Sequence, residues 1–108
     1  MIVDGNNLKM TRGDSESISV SYDTPFTEGD VIEMTVRQRE TAPVKLIHKV
    51  ITEFEEDGSA LIVLNPEDTA SMRFGDYVYD IQWKKANGWT STIIKPAMFT
   101  LTSEVSYD

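Results

Sequence analysis

There is no cysteine among the 108 residues, which removes disulfides, thiol catalysis and every cysteine-based zinc or iron–sulfur site. Histidine occurs once, at His48. A metal site built from several imidazoles of one chain is therefore excluded, although a Ser-His-Asp arrangement needs only one and stays open on composition. Positive charge is in deficit, with 10 Lys and Arg against 18 Asp and Glu and a net charge of −8. Such a chain has no surplus cations to displace counterions from a phosphate backbone or to hold an anionic bilayer, so neither nucleic acid nor membrane is expected as a partner. Long apolar runs are missing as well. None approaches the roughly 18 residues of a membrane span. The opening MIVDGNNLKM also lacks the apolar stretch of a signal peptide, so a soluble chain without an export signal is expected.

What is present is an ordinary globular composition, 40% hydrophobic and 26% charged, long enough for one domain over residues 1–108 to bury a core without staples. The apolar residues alternate with period two, as half-buried strands require. Ile18, Val20 and Tyr22 share one face against Ser17, Ser19 and Ser21. Ile32, Met34 and Val36 do so against Glu33, Thr35 and Arg37. Tyr77, Tyr79, Ile81 and Trp83 form the most aromatic strand, expected to be central, and Phe99, Leu101 and Val105 a last one. Leu46–Thr52 and Ala60–Leu64 carry apolar residues on both parities, which fits a strand buried on both faces or one that faces a partner. On that ground Ile47, Ile51, Leu61 and Val63, with Trp89 as an anchor, are the candidate interface residues for self-association.

Asp57-Gly58 and Asn87-Gly88 read as type I′ hairpin turns joining neighbouring antiparallel strands. Asn65-Pro66-Glu67-Asp68 supplies a cap, a proline at the first helical position and two acids in the first turn, so one or two helical turns are expected over Pro66–Met72. The fold class that follows is all-β: an immunoglobulin-like antiparallel β-sandwich of seven or eight strands with one short helical turn. Gly75-Asp76-Tyr77-Val78-Tyr79 after that turn resembles a tyrosine corner, in which a tyrosine near the start of a late strand bonds back to upstream backbone.

Few residues point to chemistry. Glu53, Glu55, Glu56 and Asp57 before Gly58 look like half of a calcium loop, but Leu64 stands where a bidentate Glu is needed. A solvated, edge-blunting hairpin tip explains the run better. Arg12-Gly13-Asp14 spells an adhesive tripeptide and is equally a tight turn, as is Gly29-Asp30. Asp76 and Asp80 on one strand face would stand roughly 13 Å apart, too far for a glycosidase pair. His48 is read as a strand residue at a partly wet position. No catalytic, cofactor-binding or metal-ligating residue is expected.

The series Leu8-x-Met10-Thr11-Arg12-Gly13-Asp14-Ser15, Gly29-Asp30, Leu64-Asn65-Pro66-Glu67-Asp68-Thr69, Gly75-Asp76-Tyr77-Val78-Tyr79-Asp80-Ile81-Gln82 and Phe99-x-Leu101 resembles small β-sandwich domains of tailed-phage and prophage structural proteins. The pattern is closest to the N-terminal domains of baseplate upper proteins and runs from Leu8 to Val105. The resemblance implies a non-enzymatic structural or attachment module of a virion or prophage particle, made in the bacterial cytoplasm. Such a module needs no cofactor and assembles with copies of itself and with other particle proteins. The chain shows no long helical or receptor-binding extension like that of the baseplate proteins, so the resemblance does not extend to host recognition by this polypeptide itself. The alternative is a carbohydrate-binding or adhesin-type β-sandwich module, which requires a row of exposed aromatics, of which only Trp89 is apparent.

Overall fold

Eight strands and one helical turn follow one another as β1 (Ile2–Asp4), β2 (Asn7–Thr11), β3 (Glu16–Val20), β4 (Val31–Arg37), β5 (Ile47–Ile51), β6 (Ala60–Leu64), α1 (Pro66–Thr69), β7 (Gly75–Lys84) and β8 (Thr90–Thr102). They come from a computed structural model that describes residues 1–103; Val105 lies outside the described residues. Six strands form one sheet in the order β1-β2-β8-β7-β4-β5, and β3 pairs with β6 in a second sheet of two. This is an all-β sandwich whose small sheet covers only part of the large one. Every pairing is antiparallel except β2 with β8, which run parallel from Leu8↔Phe99 to Thr11↔Thr102. The exception follows from topology. A parallel pair needs a long crossover, and here most of the chain intervenes between its two strands.

The period-two readings place the core correctly with two changes. Val20, Ile32, Met34, Val36, Tyr77, Tyr79, Ile81, Trp83, Phe99 and Leu101 are buried between the sheets, joined by Leu8, Met10, Phe26, Ala60, Ile62 and Leu64. Ile18 is only half-buried at the margin of this core. Tyr22 lies beyond the end of β3 and is 51% exposed, since the strand stops at Val20. The aromatic strand β7 is central, with β4 on one side and β8 on the other. Tyr77 Oη donates to the Arg73 carbonyl at 2.8 Å, the back-bond of a tyrosine corner. Tyr79 Oη donates to the Asn6 carbonyl, tying the β1–β2 turn to the middle of the sheet.

The helix is one turn, shorter than the expected Pro66–Met72. The Asp68 carboxylate accepts the Asn65 backbone N–H at 2.7 Å and so caps the turn. The two glycine turns also differ from expectation in type. Among the described residues none other than glycine has a positive φ, so neither Asp57 nor Asn87 adopts the conformation a type I′ turn needs. Each turn instead closes with one left-handed glycine. Gly58 N–H bonds Glu55 O and Glu55 N–H bonds Ser59 O, while Gly88 N–H bonds Lys85 O and Lys85 N–H bonds Trp89 O. The acid or amide before each glycine accepts the backbone N–H two residues on, Ser59 to Asp57 and Trp89 to Asn87. Only the Asn87-Gly88 turn joins paired strands. The Asp57-Gly58 turn connects β5 to β6, which lie in different sheets.

Candidate functional site

The expected interface residues do not gather in one place. Ile47 points inward and is 3% exposed, because its register partner Val36 is a core position, so it is not available to a partner. Ile51 is half-buried against the core opposite Ile32. In β6 the parity divides cleanly. Ala60, Ile62 and Leu64 face the core, whereas Leu61 and Val63 point outward and are 39% and 44% exposed. They stand opposite Ser19 and Ser17, making a small exposed outer face of two aliphatic and two hydroxyl residues. Trp89 belongs to the β7–β8 hairpin of the other sheet.

Trp89 is 48% exposed, and its ring meets Trp83 edge-on at 5.3 Å between centroids. Tyr22 packs on the same Trp83 at 5.3 Å and Phe26 at 5.0 Å. Lys85 Nζ lies 5.1 and 5.3 Å from the two tryptophan ring centres, within cation–π range. The buried Trp83 indole N–H has no hydrogen-bond acceptor among the described residues, at a cost of about 1–3 kcal/mol. The sequence reading missed Tyr22 as a second half-exposed ring here because it extended β3 by two residues.

The outer face of the large sheet is polar. Glu33 on β4 takes Lys84 Nζ at 2.6 Å and His48 Nε2 at 3.3 Å, so His48 is the partly wet strand residue it was read to be. The Lys84 hydrogen bond, with lesser help from His48, holds the Glu33 carboxyl below its ordinary value against the opposing effect of burial. Asp80 is pushed the other way by burial, an effect that Arg37 opposes and Glu33 reinforces. Arg37 Nη1 is held by the Ala42 and Pro43 carbonyls at 3.0 Å each. The cleft beside Asp80 amounts to about 30 Å³, the space of a water. Asp76 accepts the Thr100 hydroxyl at 2.8 Å. Asp76 lines a separate open groove of about 350 Å³, so the two acids do not share a cleft.

These shifts give opposite pH signatures. The folded pKa of Glu33 is lowered, so its contribution is fully present above the unfolded value and is lost as pH falls through the folded one. Asp80 is raised, so its charge costs stability at neutral pH, and the cost disappears as pH falls through its folded pKa. Urea unfolding should therefore find Glu33→Gln less stable and Asp80→Asn more stable than the parent at pH 7, the Asp80 gap closing as pH falls from its raised pKa toward the ordinary carboxylate range and the Glu33 gap closing only at lower pH still, below its lowered pKa. Gaps that keep their size at low pH would refute the assignment.

The remaining motifs resolve as local structure. Gly13 of Arg12-Gly13-Asp14 has φ +83°, and its N–H bonds the buried Thr69 hydroxyl at 2.8 Å. Arg12 lies over the Phe74 ring at 4.2 Å and reaches the Met72 carbonyl, so the tripeptide is a turn pinned to α1 and its sequel. The Asp57 carboxylate is engaged by the Ser59 hydroxyl at 2.6 Å, which holds it below its ordinary value. Among the described residues no three acidic or histidine side chains converge as a metal site would need, and no helix is long and apolar enough to cross a membrane.

One concavity had no signal in the sequence. β5 and β6 approach each other on one flank of the sandwich. On the other flank β1 and β3 do not pair, and a groove of about 370 Å³ lies between them. Its floor is the inner face of the large sheet, with Leu8, Tyr79, Ile81 and Ile94, and its walls are Val3 on one side and Ser17–Ser21 of the β3 segment on the other. How strands divide between sheets depends on pairings across the whole chain, which alternation within a segment does not encode.

Comparison of this all-β sandwich with protein-family models, with curated proteins and with solved structures gives no match.

Proposed function

We propose that the chain is a non-enzymatic structural or attachment module of a phage or prophage tail or baseplate particle, acting through protein–protein contacts with copies of itself and with other particle proteins. The observation that carries the protein-contact reading is the apolar surface left open: Leu61 and Val63 on the small sheet, Ile2 and Val3 on the edge strand β1, each more than a third exposed. The particle context rests on the sequence resemblance from Leu8 onward. The expected result in light scattering at micromolar concentration is a mass above one chain. Leu61→Ser with Val63→Ser should return the single-chain mass with the β-sheet circular dichroism of the parent retained, because neither side chain contributes to the core. A single-chain mass for the parent would sink self-association, and an interface burying under roughly 800 Å² would not support it. A second reading is favoured by one feature: Tyr22 and Trp89, both half-exposed and both against Trp83, offer two rings for a sugar to stack on. Quenching of tryptophan fluorescence by soluble oligosaccharides, lost in Trp89→Ala, would decide for it.

A further inference from the structure

We propose that Asn87 is a site of covalent self-modification: the Gly88 backbone nitrogen attacks the Asn87 side-chain carbonyl carbon, and the amide becomes an aspartyl or isoaspartyl residue without any enzyme. The new bond joins Gly88 N to Asn87 Cγ and closes a cyclic imide. Gly88 N gives up its proton to water or base, the Cγ–Nδ2 bond breaks, and Nδ2 takes up a proton and leaves as ammonia. Water then opens the ring, at the side-chain carbonyl to give aspartate or at the main-chain carbonyl to give isoaspartate. Nothing is oxidised or reduced. The inference goes beyond the reading of the chain as a contact module and does not depend on it.

Asparagine occurs as Asn6, Asn7, Asn65 and Asn87, and the surroundings of these residues set them apart. Asn65 precedes Pro66, whose nitrogen has no proton to give up. Asn7 lies in β2, where its Oδ1 accepts the Met98 N–H at 2.9 Å and the next residue, Leu8, is buried. The Asn6 carbonyl is held by the Tyr79 hydroxyl, and the residue that follows it carries a side chain in the path of attack. Only Asn87 is followed by glycine, which leaves the attacking nitrogen unhindered. Every residue from Lys85 to Thr90 is exposed, and a methyl group added at Gly88 would meet nothing within 4 Å, so this turn has room to rearrange. Asn87 Oδ1 accepts the Trp89 N–H at 2.9 Å. That bond turns the side chain toward the peptide ahead of it and draws electron density from the carbon under attack. The Gly88 N–H must release the Lys85 carbonyl, and in an exposed turn water takes its place.

The Asp57-Gly58 turn is the built-in contrast. Its hydrogen bonds are of the same kind, and it offers the same attack with water as the leaving group. Two features close that route. Loss of water needs a protonated acid, whereas the Ser59 hydroxyl at 2.6 Å and the Ser59 N–H at 3.0 Å hold the Asp57 carboxylate in its charged form. Gly58 is also packed so tightly that a methyl group there would lie 2.3 Å from Pro25 Cβ, and its carbonyl accepts the Phe26 N–H. The loose glycine follows the reactive amide, and the clamped glycine follows the unreactive acid. Conversion at Asn87 adds a negative charge two residues from Lys85. Its isoaspartyl form also lengthens the main chain of the turn that seats Trp89 against Trp83.

The test keeps the folded full chain in warm, mildly alkaline buffer and follows it by peptide mass spectrometry, with an isoaspartyl methyltransferase to mark the isomer. The tryptic peptide that begins at Ala86 contains no other asparagine or glutamine, so replacement of an amide by an acid there reports Asn87 alone. The expected result is conversion at Asn87 about tenfold or more faster than at Asn6, Asn7 or Asn65, with isoaspartate among the products and none at Asp57. Gly88→Ala should slow the conversion by about tenfold or more, with the circular dichroism of the parent retained. Asn87→Gln, whose longer side chain closes its imide far more slowly, should give the same loss with the turn glycine in place. A folded chain in which Asn87 stays intact while the urea-unfolded chain converts would overturn the inference, because the bond to Lys85 would then lock the turn. Aspartate without isoaspartate, equal conversion at another asparagine, or as much isoaspartate at Asp57 as at Asn87 would overturn it as well.

Discussion

Gly58→Ala should lower the unfolding free energy by about 2–5 kcal/mol, one of the two largest single-residue effects expected here. Two costs coincide. At φ +82° an L-residue pays about 1–2 kcal/mol for the left-handed conformation. A methyl group at this position would also lie 2.3 Å from Pro25 Cβ and 2.9 Å from Pro25 Cα, an overlap that costs roughly 1–3 kcal/mol more if backbone must shift. The backbone is held there, because Gly58 O accepts the Phe26 N–H at 2.9 Å and Gly58 N–H bonds Glu55 O. Gly88 is the internal control. It has the same kind of turn and φ +91°, with nothing within 4 Å of an added methyl, so Gly88→Ala should cost only the conformational part. Chemical denaturation of both variants separates the two costs; equal losses would mean that the Pro25 contact is unimportant.

Trp83→Ala should cost about 3–5 kcal/mol, the range for removing a buried large aromatic. Trp83 is 4% exposed and is the ring on which Tyr22, Phe26 and Trp89 converge, so its loss opens a cavity at one end of the sandwich and frees the β7–β8 hairpin. Trp83→Phe should cost clearly less, because it keeps a ring in place and removes the indole N–H that lacks an acceptor. Paired urea titrations give the comparison, and a phenylalanine variant as unstable as the alanine one would show that volume alone governs the site.

The strands were legible because period-two alternation is imposed by one dry face per sheet: Ile32, Met34 and Val36, and Tyr77 through Trp83, could point nowhere else and remain buried. The tyrosine corner was legible because it is a local bond between residues four apart. β6 shows where legibility stops. Its run of five apolar residues fits either side of the pleat, and only its pairing with β3 decides that Ile62 is inside and Leu61 outside. Ile47 failed as an interface residue for the same reason, since its direction follows from the register with Val36, 11 residues earlier in the chain but adjacent in the sheet. The turn type was misjudged because Asn-Gly and Asp-Gly serve both a two-residue loop and a three-residue loop with one left-handed glycine, and the choice depends on where the strands stop pairing. The β1–β3 groove has no sequence signal, being a space between strands that never bond.

The parallel pairing of β2 with β8 sets the order in which the molecule can be completed. Asn7 Oδ1 accepts the Met98 N–H across 91 residues, and the Thr102 hydroxyl reaches the Met10 carbonyl across 92. During synthesis β1 and β2 emerge first yet have no neighbour but each other until β8 has left the ribosome. Leu8 and Met10, both buried in the finished sheet, must wait in water for Phe99 and Leu101. Closure of the large sheet is therefore gated by β8: loop closure is paid before its contacts are gained, as in the slower, millisecond-to-second folders dominated by non-local pairing, and a nascent chain that has not yet extruded β8 presents its apolar β1–β2 hairpin to whatever binds such surfaces first.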